Sequence, residues 1–179
     1  MKYIASLAFS MMLLMHPAPS IHANDIQYGP HNSIKIEEIQ EKADFKVLFP
    51  NQLPREWNLE IKPYPSEESK KYDSFRFHFL DQNDKYLMVG ISEQKAISAS
   101  LKENSQLPSN QGEIVSINEV KGRFEPWART KNDKTFVPGG ILRWIQSGTF
   151  LTMESSSISK EEMIKIAKSM TEYRVNRIN

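Results

Sequence analysis

The chain has 179 residues, 39% of them hydrophobic, with 23 basic and 22 acidic side chains and no cysteine. The missing cysteine excludes disulfides, a thiol nucleophile and lipid attachment through an N-terminal Cys. A net charge of +1 argues against nucleic acid as a partner, because that function needs a basic footprint.

Residues 1–23 read as a signal peptide. Lys2 is a short positive start, and Tyr3 to Met15 is an apolar run ended by Pro17 and Pro19. The run falls short of the roughly 20 residues a membrane-spanning helix needs. Ile21-His22-Ala23 then offers a cleavage site before Asn24. The expectation is an exported protein, secreted or envelope-associated, with no transmembrane segment once the leader is gone. Export without disulfides suits a Gram-positive-like cell better than a small animal secreted domain. Residues 24–179 are one domain's worth of chain, with the folded domain expected over residues 33–179.

Residues 24–32 hold Gly29-Pro30 and no periodicity, and are expected to form a flexible lead. Ser33 is placed to cap a first helix running to about Ala43, with Ile36, Ile39 and Ala43 on one face. Phe45, Val47 and Phe49 alternate as a strand ending at Pro50. Leu59 to Tyr64 is a second strand. Phe75, Phe77 and Phe79 alternate with Arg76, His78 and Leu80, and Asp81 to Asp84 is turn chemistry. Tyr86 to Glu93 returns as the partner strand. Lys95 to Gly112 is polar and loop-like, Glu113 to Phe124 reads as one strand, and Pro126 to Gly140 is irregular.

The chain closes with ILRWIQ, a Ser147-Gly148 turn, TFLTMES and a helix. Ser159 can accept from the Glu162 amide while Glu162 reaches back, which makes a capping box, and Ile158 and Met163 form a hydrophobic staple. Met163, Ile166, Ala167 and Met170 share one helical face, so this helix is expected from Lys160 to Tyr173. The elements add up to an α+β fold: one curved antiparallel sheet of six or seven strands, with an N-terminal and a C-terminal helix packed on one face. Trp57 and Trp144 are assigned to the core.

Catalytic chemistry finds little support. There is no G-x-S-x-G elbow, and beyond the leader only His31 and His78 remain. His78 alternates with phenylalanines and is expected to face solvent. Two distant histidines without cysteine do not make a zinc site. Asp81, Asn83 and Asp84 lack the glycine and the spacing of a calcium loop. Glu37-Glu38, Glu67-Glu68 and Glu161-Glu162 lie on polar faces or loops, and Gly139-Gly140 has no phosphate-cradle spacing. No catalytic residue, cofactor or metal is expected. The suggestive surface is Lys121, Arg123, Trp127, Arg129, Lys131 and Lys134, where cations interleave with aromatics and could grip a ligand or partner. The simpler account of that stretch is a solvated loop with Trp127 tucked onto the sheet.

The stretch from Ile141 to Met170 resembles the end of a domain family of unknown function from spore-forming Gram-positive bacteria. Trp144, Gly148, Ser159, Glu162, Ala167 and Ser169 carry the likeness, and FKVLFPNQLPREW, Phe45 to Trp57, resembles the family's entrance. The resemblance implies an extracytoplasmic domain like those of anti-sigma-like and lipoprotein-carrier-like proteins. It brings no catalytic residues with it. The function expected is a non-enzymatic binding domain for a lipid-like ligand or an envelope protein. The alternative is a secreted hydrolase or an enzyme inhibitor.

Overall fold

The computed structural model describes residues 26–97, 112–127 and 137–174. In chain order they form α1 (Ile36–Lys42), β1 (Leu48–Pro50), β2 (Asn58–Tyr64), β3 (Ser74–Leu80), β4 (Leu87–Lys95), β5 (Glu113–Ile117) and β6 (Val120–Pro126). Then follow β7 (Gly140–Gln146), β8 (Thr149–Ser155), α2 (Lys160–Lys168) and β9 (Met170–Glu172). Seven strands make one antiparallel sheet in the order β2-β3-β4-β8-β7-β6-β5, and β1 pairs with β9 in a separate ribbon. The expected antiparallel sheet with helices holds at this level.

The strand order follows from two meanders, β2-β3-β4 and β5-β6-β7-β8. Their last strands, β4 and β8, pair with each other, so the final hairpin sits in the middle of the sheet and not at its edge. Alternation then fixes two faces, since successive strand residues point to opposite sides.

On the packed face Phe75, Phe77 and Phe79 are almost fully buried and touch one another, with ring centroids 4.9 Å and 6.1 Å apart. Phe49 of β1 meets Phe77 and Phe79 edge-on at 5.5 Å and 6.1 Å. Trp144, Leu142, Leu151, Met153, Val89 and Ile91 extend the same core. Ile36 and Ile39 of α1, and Met163, Ile166 and Ala167 of α2, are buried in that cluster. Trp144 is fully buried, and Trp57 is partly buried against the core. Truncating one central ring, such as Phe77 to Ala, costs about 3–5 kcal/mol by transfer and cavity terms together.

Local chemistry explains most boundaries. Ser147 and Gly148 both take positive φ, 53° and 83°, which is the two-residue hairpin turn that matches strand twist. In α2 both halves of the capping box are present, and the staple residues Ile158 and Met163 are buried. Asp81 accepts from the amides of Lys85 (2.7 Å) and Tyr86 (3.1 Å), closing the β3-β4 turn.

Several expectations are corrected. Ser33 does not cap α1, which begins at Ile36 behind Lys35 without a side-chain cap. The short β1 is buried at all three positions and does not alternate, because it lies across the core and not at a solvated sheet edge. The stretch Glu113 to Phe124 is two strands, since Asn118 at φ 51° turns the chain between Ile117 and Val120. Asparagine tolerates that region far better than most residues. The last helix stops at Lys168, and Met170–Glu172 leaves it to pair with β1. Met170 is buried as the helical period expects, but from a strand. The stretch expected as a lead is tied, from residue 26 on, along β2: the Gly29 amide donates to Leu59 O, the Leu59 amide to Gln27 O, and the Ile61 amide to Asn32 Oδ1.

Candidate functional site

The sheet's second face carries the polar chemistry. Cross-strand register arranges its side chains in transverse rows. One row runs Glu60, His78, Gly90, Glu154, Ile141, Glu125. The next runs Lys62, Arg76, Ser92, Thr152, Arg143, Arg123, Ile114. A third begins Tyr64, Ser74, Gln94, Phe150.

Charges on this face are paired. Arg76 reaches diagonally to Glu154 (3.0 Å), Arg143 meets Glu125 (2.6 Å), and Glu60 holds Lys62 (3.0 Å) and His78 Nδ1 (3.3 Å). Partial burial acts to raise the Glu60 carboxyl, but hydrogen bonds from Lys62 and His78 outweigh it and hold the group below its ordinary range. Gly90 makes the Arg76–Glu154 pair possible. A Cβ on Gly90 would stand 2.3 Å from Arg76 Nη2, so only a bare backbone leaves the guanidinium room to cross β4. Arg76 Nε is buried and has no hydrogen-bond partner.

Between these rows lies a hollow of about 350 Å3 lined by Tyr64, Ser74, Arg76, Ser92, Gln94, Phe150, Thr152 and Glu154, with Phe75 and Glu93 at its floor. Phe150 is only 4% exposed yet stands apart from the main core cluster. A second hollow, about 370 Å3, is lined by Gln52, Glu161, Ile164, Lys165, Lys168 and Ser169 beside α2.

Of the six residues expected to form the ligand surface, three are described. Lys121 and Arg123 share the open face of β6; Lys121 is exposed and Arg123 is buried. Arg123 stands opposite Arg143, and its Nε has no partner among the described residues. Trp127 is half-buried past the end of β6 and donates from Nε1 to Ser155 O at 2.6 Å. This contact pins β6 to the end of β8. Arg129, Lys131 and Lys134 lie outside the described residues.

Sequence reasoning missed the hollow because its lining comes from four strands spread between Tyr64 and Glu154. One signal was available: a glycine in mid-strand, Gly90, marks a close approach by another group. Glu93 was missed too. It lies on the packed face, fully buried, and its Oε2 accepts from the Leu48 amide at 3.0 Å while Oε1 has no partner. Burial pushes its carboxyl well above the ordinary value, against the single hydrogen bond from Leu48. Among the described residues no group of three or more His, Asp or Glu is placed to hold a metal ion, and no helix is long and apolar enough to cross a membrane.

A family model for a domain of unknown function, DUF4367, matches residues 48–170. The chain belongs to the DUF4367 family. The match opens on the first residue of β1 and closes on the first of β9, so the DUF4367 unit contains the whole seven-stranded sheet and α2. The helix α1 precedes it. No curated protein and no solved structure matches the chain.

Proposed function

We propose that this DUF4367 protein is a non-enzymatic binding domain, exported to the envelope side of a spore-forming Gram-positive cell, and that it binds through the open face of its sheet. The leader-like start supports export, and the absence of cysteine fits a Gram-positive-like cell. In this reading α1, α2 and the β1-β9 ribbon back the sheet and leave its other side for the partner.

One observation carries the reading. The open-face carboxylates Glu60, Glu125 and Glu154 are each neutralised by a neighbouring cation. A carboxylate already engaged by a cation is poorly placed to act on a substrate, whereas a mixed polar face with matched charges is good material for recognition. The hydroxyl, amide and ionic lining also favours a polar envelope component over a lipid-like ligand, which needs an apolar pocket.

Co-sedimentation tests this. The purified protein should pellet with cell-wall or membrane fractions of a Gram-positive host. A double variant, Arg76→Gln with Glu154→Gln, should stay in the supernatant while keeping its thermal midpoint. Equal pelleting of the variant would remove the open face from the reading. Turnover of envelope substrates by the purified protein would replace it with the hydrolase alternative.

A further inference from the structure

The hollow on the open face has a chemistry that selects among ligands. Its volume of about 350 Å3 sits at the low end of small-molecule sites, which run from roughly 300 to 1,000 Å3. Of its three ionisable residues, Arg76 and Glu154 are bonded to each other at 3.0 Å, and Glu93 is fully buried beneath with the Leu48 amide on its Oε2. The pair leaves no net charge to attract an anion or a cation. What remains is hydrogen-bonding capacity: hydroxyls from Ser74, Ser92 and Thr152, the Gln94 amide, and the buried Arg76 Nε–H that has no acceptor.

Aromatic rings stand at both ends of this polar strip. Tyr64, Ser74, Gln94 and Phe150 follow one another across β2, β3, β4 and β8. Three strand spacings separate Tyr64 from Phe150, roughly 14 Å. Tyr64 is 50% exposed at the rim, and Phe150 closes the far end. Neutral donors and acceptors in the middle, with the exposed Tyr64 ring at the open end, match a molecule that has apolar C–H faces and a rim of hydroxyls.

We propose that this hollow binds a saccharide, with Tyr64 stacking on one sugar ring and Ser74, Ser92, Gln94, Thr152 and Arg76 Nε–H contacting its hydroxyls. The inference rests on the reading that the open face is the binding surface, and it names the ligand class. An inorganic anion does not suit it, because Glu154 already holds the Arg76 guanidinium. A lipid chain does not suit it, because most of the lining is polar.

The test is an amide-resolved NMR titration of the purified protein with cellotriose, maltotriose and the N-acetylglucosamine trimer, each in turn. At least one trisaccharide should give saturable shifts at Ser74, Ser92, Gln94, Thr152 and Arg76 Nε–H. Tyr64→Ala should weaken that binding roughly tenfold, the factor expected for a lost ring contact. Gln94→Ala, at another exposed position, should weaken it as well, and both variants should keep the thermal midpoint. The proposal is overturned by silence with all three sugars, by shifts that neither variant weakens, or by saturation at these residues with inorganic phosphate or dodecylphosphocholine instead. If the titrations are silent while the envelope fraction is still bound through Arg76 and Glu154, the saccharide fails and the open-face reading stands. If both assays are silent, both fall.

Discussion

Glutamine in place of Glu93 should stabilise this protein, and by more as the pH rises. Glu93 is fully buried, takes one hydrogen bond from the Leu48 amide, and leaves its other oxygen without a partner. Burial raises its pKa in the fold well above the ordinary value of 4.5. The native state therefore holds a proton that the unfolded chain gives up once the pH passes that value. Where the native state binds more protons, stability falls as pH rises, by about 1.4 kcal/mol per pH unit at most. The contribution of Glu93 is whole below the unfolded value and drains away until the carboxyl ionises in the fold. Glu93→Gln keeps an oxygen for Leu48 and has nothing to titrate. Near pH 4.5 the two proteins should differ little. Above it, the variant should pull ahead at up to about 1.4 kcal/mol for each pH unit. Urea denaturation of both proteins at four pH values between 4.5 and 8 measures the gap, and every other titrating group cancels in the difference. A gap that stays constant with pH would refute the neutral buried carboxyl.

Gly139→Ala should cost more than about 2 kcal/mol, because φ is +75° and the new Cβ would stand 2.4 Å from Ser155 O and 2.6 Å from Ile158 O. Both are backbone atoms that cannot swing aside, so a loss under about 0.5 kcal/mol in urea denaturation would contradict the packing. Gly90→Ala also creates a clash, but with the mobile end of Arg76. Stability should change by less than about 1 kcal/mol, while envelope binding is lost in the co-sedimentation assay. Ser159→Ala removes the oxygen that accepts from the Glu162 amide and should lower stability by about 1 kcal/mol, read from the thermal midpoint.

Much of the fold was legible because single residues decide it locally. The period of two at Phe75, Phe77 and Phe79 places β3 and its buried face. Ser147-Gly148 forms the last hairpin, and Ser159 with Glu162 starts α2. Where the sequence misled, two local signals competed. Met170 continues the helical period of Met163, Ile166 and Ala167, yet the long-range partner β1 draws Met170–Glu172 into a strand. Asn118 carried a turn signal that the strand-like residues on either side of it concealed. Strand order was not legible at all, since nothing near β8 states that it will lie beside β4. The candidate site inherits that difficulty, because Tyr64, Arg76, Ser92 and Glu154 meet only once the two meanders are joined.

The placement of unsatisfied groups separates this face from ordinary sheet surface. Among the described residues four buried side-chain atoms have no hydrogen-bond partner: Asn58 Oδ1, Glu93 Oε1, Arg76 Nε and Arg123 Nε. Burial pushes the Glu93 carboxyl well above its ordinary value, so protonation relieves it of its charge. An arginine has no such escape, because its guanidinium stays charged at any pH the fold survives. Burying part of a permanent cation without a full set of acceptors is costly, and a sheet evolving for stability alone would shed it. Arg76 lies on β3 and Arg123 on β6, both on the same face, and both point donors where the described residues offer no acceptor. A bound molecule supplying those acceptors would offset the cost, which is why the open face, and not the well-satisfied capped helix at the end of the chain, is the place to look for the partner.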